Sequence, residues 1–108
     1  MRAADLSHPT VRGVVNALRH GDRDAFYAAF ADDVRLTSEG RDRDLYCWAE
    51  SEIFPEHGRI AVRAERHDGR VVIGSYHSDR RNLPNTAWRF DIVDGLIRYL
   101  DVGEARES

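Results

Sequence analysis

The 108-residue chain contains no lysine at all, and its basic charge is carried by sixteen arginines. Schiff-base chemistry on a lysine amine is therefore excluded. Cysteine is nearly absent too. Cys47 stands alone, so there is no intramolecular disulfide and no cysteine-rich zinc site. Basic charge is not in excess: nineteen Asp and Glu outnumber the arginines and leave a net charge of -3. That balance speaks against a duplex nucleic-acid binder, which needs a net basic face. No apolar run approaches the roughly 18 residues of a membrane span. The opening MRAADLSHP lacks the apolar centre of a signal peptide, so a cytoplasmic location is expected. No Gly-rich phosphate loop is present, and no cofactor is expected. The five histidines, at 8, 20, 57, 67 and 77, are not spaced as a ligand set, and no metal site is expected.

What remains is an ordinary globular composition, 42% hydrophobic and 32% charged, of a length that predicts one domain over residues 1–108. The first half has a helical period. Val11, Val14, Val15 and Leu18 share one face, Ser7, His8 and Pro9 supply a start, and Gly21 a left-handed stop. Asp22 caps a second helix carrying Phe26, Ala29 and Phe30, which Asp32–Asp33 is expected to end. Val34 and Leu36 predict a short strand. Asp42 or Asp44 caps a third helix presenting Leu45, Trp48, Ala49 and Ile53, stopped by Pro55.

The second half changes to a period of two. Ile60, Val62 and Ala64 alternate with polar neighbours, and Asp68–Gly69 and Asp94–Gly95 both predict two-residue hairpins. Strands are expected at Arg70–Ser78, around Trp88, Phe90 and Ile92, and at Leu96–Val102. A polar loop is expected over Ser78–Asn85, and a frayed tail over GEARES. Helices first and an antiparallel meander second predict an α+β fold.

Two strings, VVNALRHGDRDAFYAAFADDV (14–34) and AWRFDIVDGLIRYLDV (87–102), resemble the nuclear transport factor 2-like superfamily, which includes SnoaL-like cyclases and ketosteroid isomerases. The resemblance implies a cone-shaped, curved antiparallel sheet wrapped around three N-terminal helices. It also implies a pocket between sheet and helices, and often a homodimer through the outer sheet face. It places Val14, Ser38 and Thr86 where the isomerases carry their tyrosine, their base and their second acid, so enolate chemistry of that kind is not expected.

Ligand-lining residues are expected at Val14, Ser38, Trp48, Tyr76, Thr86, Trp88 and Phe90, with Trp88 facing an apolar cavity holding few charged groups. Glu39, Tyr76, His77 and Asp33 are the acid–base candidates. The resemblance favours Tyr76 and Leu100 inward, His77 and Asp101 outward. The expected function is binding of a compact, mostly apolar small molecule. The alternatives are an acid–base enzyme of cyclase, isomerase or dehydratase type, and a non-catalytic protein-interaction module.

Overall fold

A computed structural model of the chain describes residues 1–105. After a short 3-10 turn, α1 spans Pro9–His20. The His8 ring accepts from the Thr10 N–H, and Gly21 closes the helix at a φ of 66°. Asp22 caps α2 (Arg23–Ala28) by accepting from the Ala25 N–H. Asp44, not Asp42, caps α3 (Leu45–Trp48), which widens into a π-helical turn over Ala49–Ile53.

Six strands form one sheet: β1 (Phe30–Ser38), β2 (Arg41–Arg43), β3 (Arg59–Arg66), β4 (Val71–His77), β5 (Asn82–Val93) and β6 (Leu96–Glu104), in the spatial order β2-β1-β6-β5-β4-β3. Val11, Val14 and Val15 of α1, Phe26 of α2, and Leu36, Val72, Trp88, Ile97 and Leu100 of the sheet make the buried core between helices and sheet. Register shifts in the β3–β4, β4–β5 and β5–β6 pairings supply local bends that help curve such a sheet. Gly74 sits in one of them because a Cβ there would strike the carbonyl of Ala61.

The α+β cone stands as expected, with several local differences. The sheet is mixed, because β6 runs parallel to β1. A hairpin forces β5 and β6 to be antiparallel, but nothing local constrains strands separated by most of the chain. Strand β1 begins at Phe30, before Asp32–Asp33, so the acidic pair does not end α2. Residues 31–34 of β1 face only Arg98 of β6, a wide bulge in which Arg98 pairs with Asp33 at 3.3 Å.

Glu39 and Gly40, both at positive φ, make an unanticipated hairpin to β2. The turn at Asp68–Gly69 takes four residues, His67–Arg70, since Arg66 pairs with Val71. Asp94–Gly95 is the expected two-residue turn, with Val93 opposite Leu96. The polar loop is shorter than expected because β5 starts at Asn82. In the tail, Gly103 and Glu104 belong to β6, and Ala105 is buried and bonded to Asn85; residues 106–108 lie outside the described ones.

Candidate functional site

A cavity of about 280 Å³ opens between the inner face of the sheet and α3 with its π turn. Its wall is built by alternation. Thr86 and Trp88 point inward from β5, Tyr76 from β4 and Val102 from β6, while Trp48 and Ile53 descend from the helical side. The Trp48 and Trp88 rings lie 5.7 Å apart at 52°, and Tyr76 and Trp88 lie 6.3 Å apart at 31°, giving one continuous aromatic wall. Ser38 and Glu39 join it from the β1–β2 turn. Arg81 joins from the turn before β5, Leu83, Pro84 and Asn85 from the start of β5, Glu52 from the π turn, and Gly103 and Glu104 from the end of β6.

The polar groups of the wall differ in commitment. The Thr86 hydroxyl donates to the Gly74 carbonyl at 3.0 Å and keeps lone pairs to accept. The Asn85 side chain is held by Arg63 at 2.6 Å and bonds the Ala105 carbonyl at 3.1 Å, which fixes this part of the wall. Two buried donors have no partner among the described residues: the Trp88 indole N–H and the Tyr76 hydroxyl. Each such group costs about 1–3 kcal/mol when left unpaired. The Tyr76 hydroxyl lies against Gly58, where a Cβ would collide with it. Burial, reinforced by the Glu56 carboxylate, pushes this phenol up to about 12, so it stays a neutral donor at ordinary pH.

The charges of the wall come from the residues nearest its turns and strand ends. Glu52 is gripped by Arg43 at 2.6 Å and approached by Arg81 at 3.7 Å. Glu39 and Glu104 form no side-chain hydrogen bond or ion pair among the described residues. The expectation of few charged groups is therefore corrected, because four charged side chains line the cavity.

Of the expected lining residues, Ser38, Trp48, Tyr76, Thr86 and Trp88 line the cavity. Val14 and Phe90 do not; both are sealed in the core, where α1 and α2 cover the other end of the sheet. Glu39 lines the cavity. Asp33 lies in the β1 bulge against Arg98, and His77 lies half-buried outside the cavity, pairing with Arg59 and Asn82 across the strands. Asp101 is outward, holding Thr37 at 2.7 Å and Arg89 at 3.3 Å. Among the described residues no group of three His, Cys, Asp or Glu side chains is placed to hold a metal ion.

Sequence reasoning missed Glu52, Leu83, Pro84, Asn85 and the strand end at Gly103–Glu104. Carrying the period-two alternation of Thr86 and Trp88 back to Pro84 would have found part of them.

No protein-family model and no curated protein matches the sequence. Solved structures do. A nuclear transport factor 2-like protein of unknown function from Cytophaga hutchinsonii is 12% identical, with a TM-score of 0.75 over 97% of this chain and 91% of that one. The Δ5-3-ketosteroid isomerase of a Mycobacterium species is 17% identical, with a TM-score of 0.71 over 86% of this chain and 88% of that one. The canthaxanthin-binding orange carotenoid protein of Anabaena is 20% identical, with a TM-score of 0.72 over 88% of this chain and 35% of that one.

Proposed function

We propose that this chain, a protein of nuclear transport factor 2-like fold, binds a compact, mostly apolar organic molecule that carries a hydrogen-bond acceptor. The observation that carries the reading is the indole N–H of Trp88. It belongs to a residue only 1% exposed in the cavity wall and has no partner among the described residues. The N–H is itself buried, and a carbonyl or hydroxyl oxygen would satisfy it after a small shift of the side chains that cover it. The volume sets the size. A cavity of ~150 Å³ accepts a benzene ring, so about 280 Å³ suits a body of one or two rings. Structural relatives named for a steroid substrate and for a bound carotenoid support the use of such a cavity for small apolar molecules.

The test is quenching of tryptophan fluorescence by ketones, phenols and hydrocarbons of matched shape, in the wild type and in Trp88→Phe, where Trp48 remains as reporter. Saturable quenching is expected. Trp88→Phe should weaken ketones by about 5- to 30-fold while leaving the hydrocarbons within threefold. Absence of saturable binding, or an equal loss for both classes, overturns the reading.

A second reading, acid–base catalysis, is favoured by one observation: Glu39 lines the cavity. It requires turnover that Glu39→Gln abolishes while ligand binding is retained.

A further inference from the structure

We infer that the end of β6, Gly103–Ala105, is a gate of the cavity and that Asn85 is the latch that holds it shut. What the gate admits rests on the pocket reading above; the gate itself rests on how the strands are held.

Trp48 and Trp88 both line the cavity, yet they are only 3% and 1% exposed. To reach them a molecule must move part of the wall. Most of the wall is firmly tied. Tyr76 and Trp88 have a paired strand on each side, Ile60 and Leu83 flanking the first, Val72 and Val102 the second. Ser38 pairs with both Arg41 and Val102. Glu52 is gripped by Arg43 at 2.6 Å.

The end of β6 is held differently. Up to Val102 the strand has β1 on one side and β5 on the other, and the last bond toward β1 runs from the Glu39 N–H to the Val102 carbonyl at 2.9 Å. Gly103 and Glu104 pair only with Ala87 and Thr86 of β5. Gly103 brings no side chain, and the exposed Glu104 carboxylate forms no hydrogen bond or ion pair among the described residues. A strand end tied on one edge opens at lower cost than the interior of the sheet.

The tip of this segment is nevertheless pinned. The Ala105 N–H donates to the Asn85 carbonyl at 3.0 Å, and the Asn85 side-chain Nδ2 donates to the Ala105 carbonyl at 3.1 Å. Arg63 donates to the Asn85 Oδ1 at 2.6 Å and so aims the Nδ2 at Ala105. Asn85 itself stands outside the regular β4–β5 ladder, which pairs Gly74 with Thr86 and Tyr76 with Leu83 and skips Pro84 and Asn85. The latch thus consists of two bonds to one residue, aimed by Arg63, at the free end of a segment that lines the cavity.

The test needs no ligand. Acrylamide, a small neutral quencher, must touch an indole to quench it, so its quenching of Trp48 and Trp88 reads how often the wall opens. Asn85→Asp keeps the side chain's size and its acceptor for Arg63, and removes only the donor to Ala105. Quenching should rise about threefold to tenfold, the weight of one hydrogen bond, and hydrogen exchange of the Ala105 amide should rise with it. The Ile97 amide, bonded to the Ala29 carbonyl at 2.9 Å, should change less than about twofold, which a general loosening would not allow.

A second variant closes the gate. Thr86 pairs with Glu104, so Asn85 stands opposite Ala105 at the separation of about 5.5 Å that a disulfide spans. Asn85→Cys/Ala105→Cys in a Cys47→Ser background should be quenched at least about threefold less when oxidised than when reduced. Unchanged quenching in Asn85→Asp, a rise shared equally by Ala105 and Ile97, or equal quenching of the oxidised and reduced cross-link variant overturns the inference. Each of these leaves the pocket reading standing, and absence of saturable ketone binding overturns that reading while leaving the gate in place.

Discussion

Tyr76→Phe should make the protein more stable. The hydroxyl is buried with no hydrogen-bond partner among the described residues, and a donor in that position costs about 1–3 kcal/mol in lost hydration. Removing the oxygen leaves a gap of ~10–15 Å³, about one water-sized sphere. At ~24 cal/mol per Å³ that gap costs about 0.3 kcal/mol. The net gain is about 0.7–2.7 kcal/mol, and each kcal/mol moves Tm by roughly 4–8 °C in a domain of this size.

The neighbouring glycine provides an internal control. A Cβ on Gly58 would collide with the Tyr76 hydroxyl and lie 2.9 Å from Cζ. Gly58→Ala alone should therefore cost about 1–3 kcal/mol by overpacking. With the oxygen gone, part of that cost should disappear, as a coupling of at least ~0.5 kcal/mol. Urea denaturation of the two single variants and the double variant closes the cycle. A Tyr76→Phe protein destabilised by more than about 1 kcal/mol would refute the reasoning, as would strictly additive single effects. The same variant separates stability from binding, because a phenol that served only the fold would leave ligand affinity unchanged.

Two further outcomes are expected. Tyr27 is raised well above its ordinary value by burial and by its hydrogen bond to Glu50 at 2.7 Å, and Tyr76 is pushed up to about 12. Both folded values exceed the ordinary 10.0, so this stability is complete below pH 10 and is lost as the pH rises beyond it. Tyr76 accounts for about 2–3 kcal/mol of that loss by pH 12. Denaturation at successive alkaline pH should show the decline, and Tyr76→Phe should flatten it. On the outer sheet face Val71 and Ile73 are half-buried beside the Thr37–Tyr99–Asp101–Arg89 network, and two copies are expected to pair there. Light scattering should give about twice the 12.4 kDa of one chain, and a mass of one chain at micromolar concentration would refute it.

The fold was legible wherever a local rule and the tertiary demand agreed. Pro9 and Gly21 bracket α1 in sequence and in space, and Asp94–Gly95 supplies the two left-handed residues that a tight hairpin needs. Trp88 and Phe90 both face inward, as alternation requires. Alternation cannot say which inward residue meets a cavity and which meets a helix. That depends on where α1 and α2 end along the sheet, and it is why Phe90 is core while Trp88 lines the cavity.

Helical period misled at Phe30, because a residue one turn beyond Phe26 satisfies a helix face and an inward strand position equally well. The Glu39–Gly40 hairpin was missed because Glu seldom occupies positive φ. The grouping of charges around the cavity, beyond Glu39 itself, was invisible for a different reason. Glu39, Glu52, Arg81 and Glu104 come from four separate segments, brought together only by the closure of the cone.

The position of β6 governs how this molecule must assemble. The strand with the highest residue numbers lies in the interior of the sheet, bonded to β1 on one side and β5 on the other. Until synthesis has passed Glu104, β1–β2 and β3–β4–β5 are joined through the helices and not through the sheet, each with an open edge toward the missing strand. During emergence from the ribosome those edges are free to pair with other chains. The cavity wall contributed by Val102, Gly103 and Glu104 also comes into being only at that step. Completion of the sheet and completion of the cavity wall are thus one event.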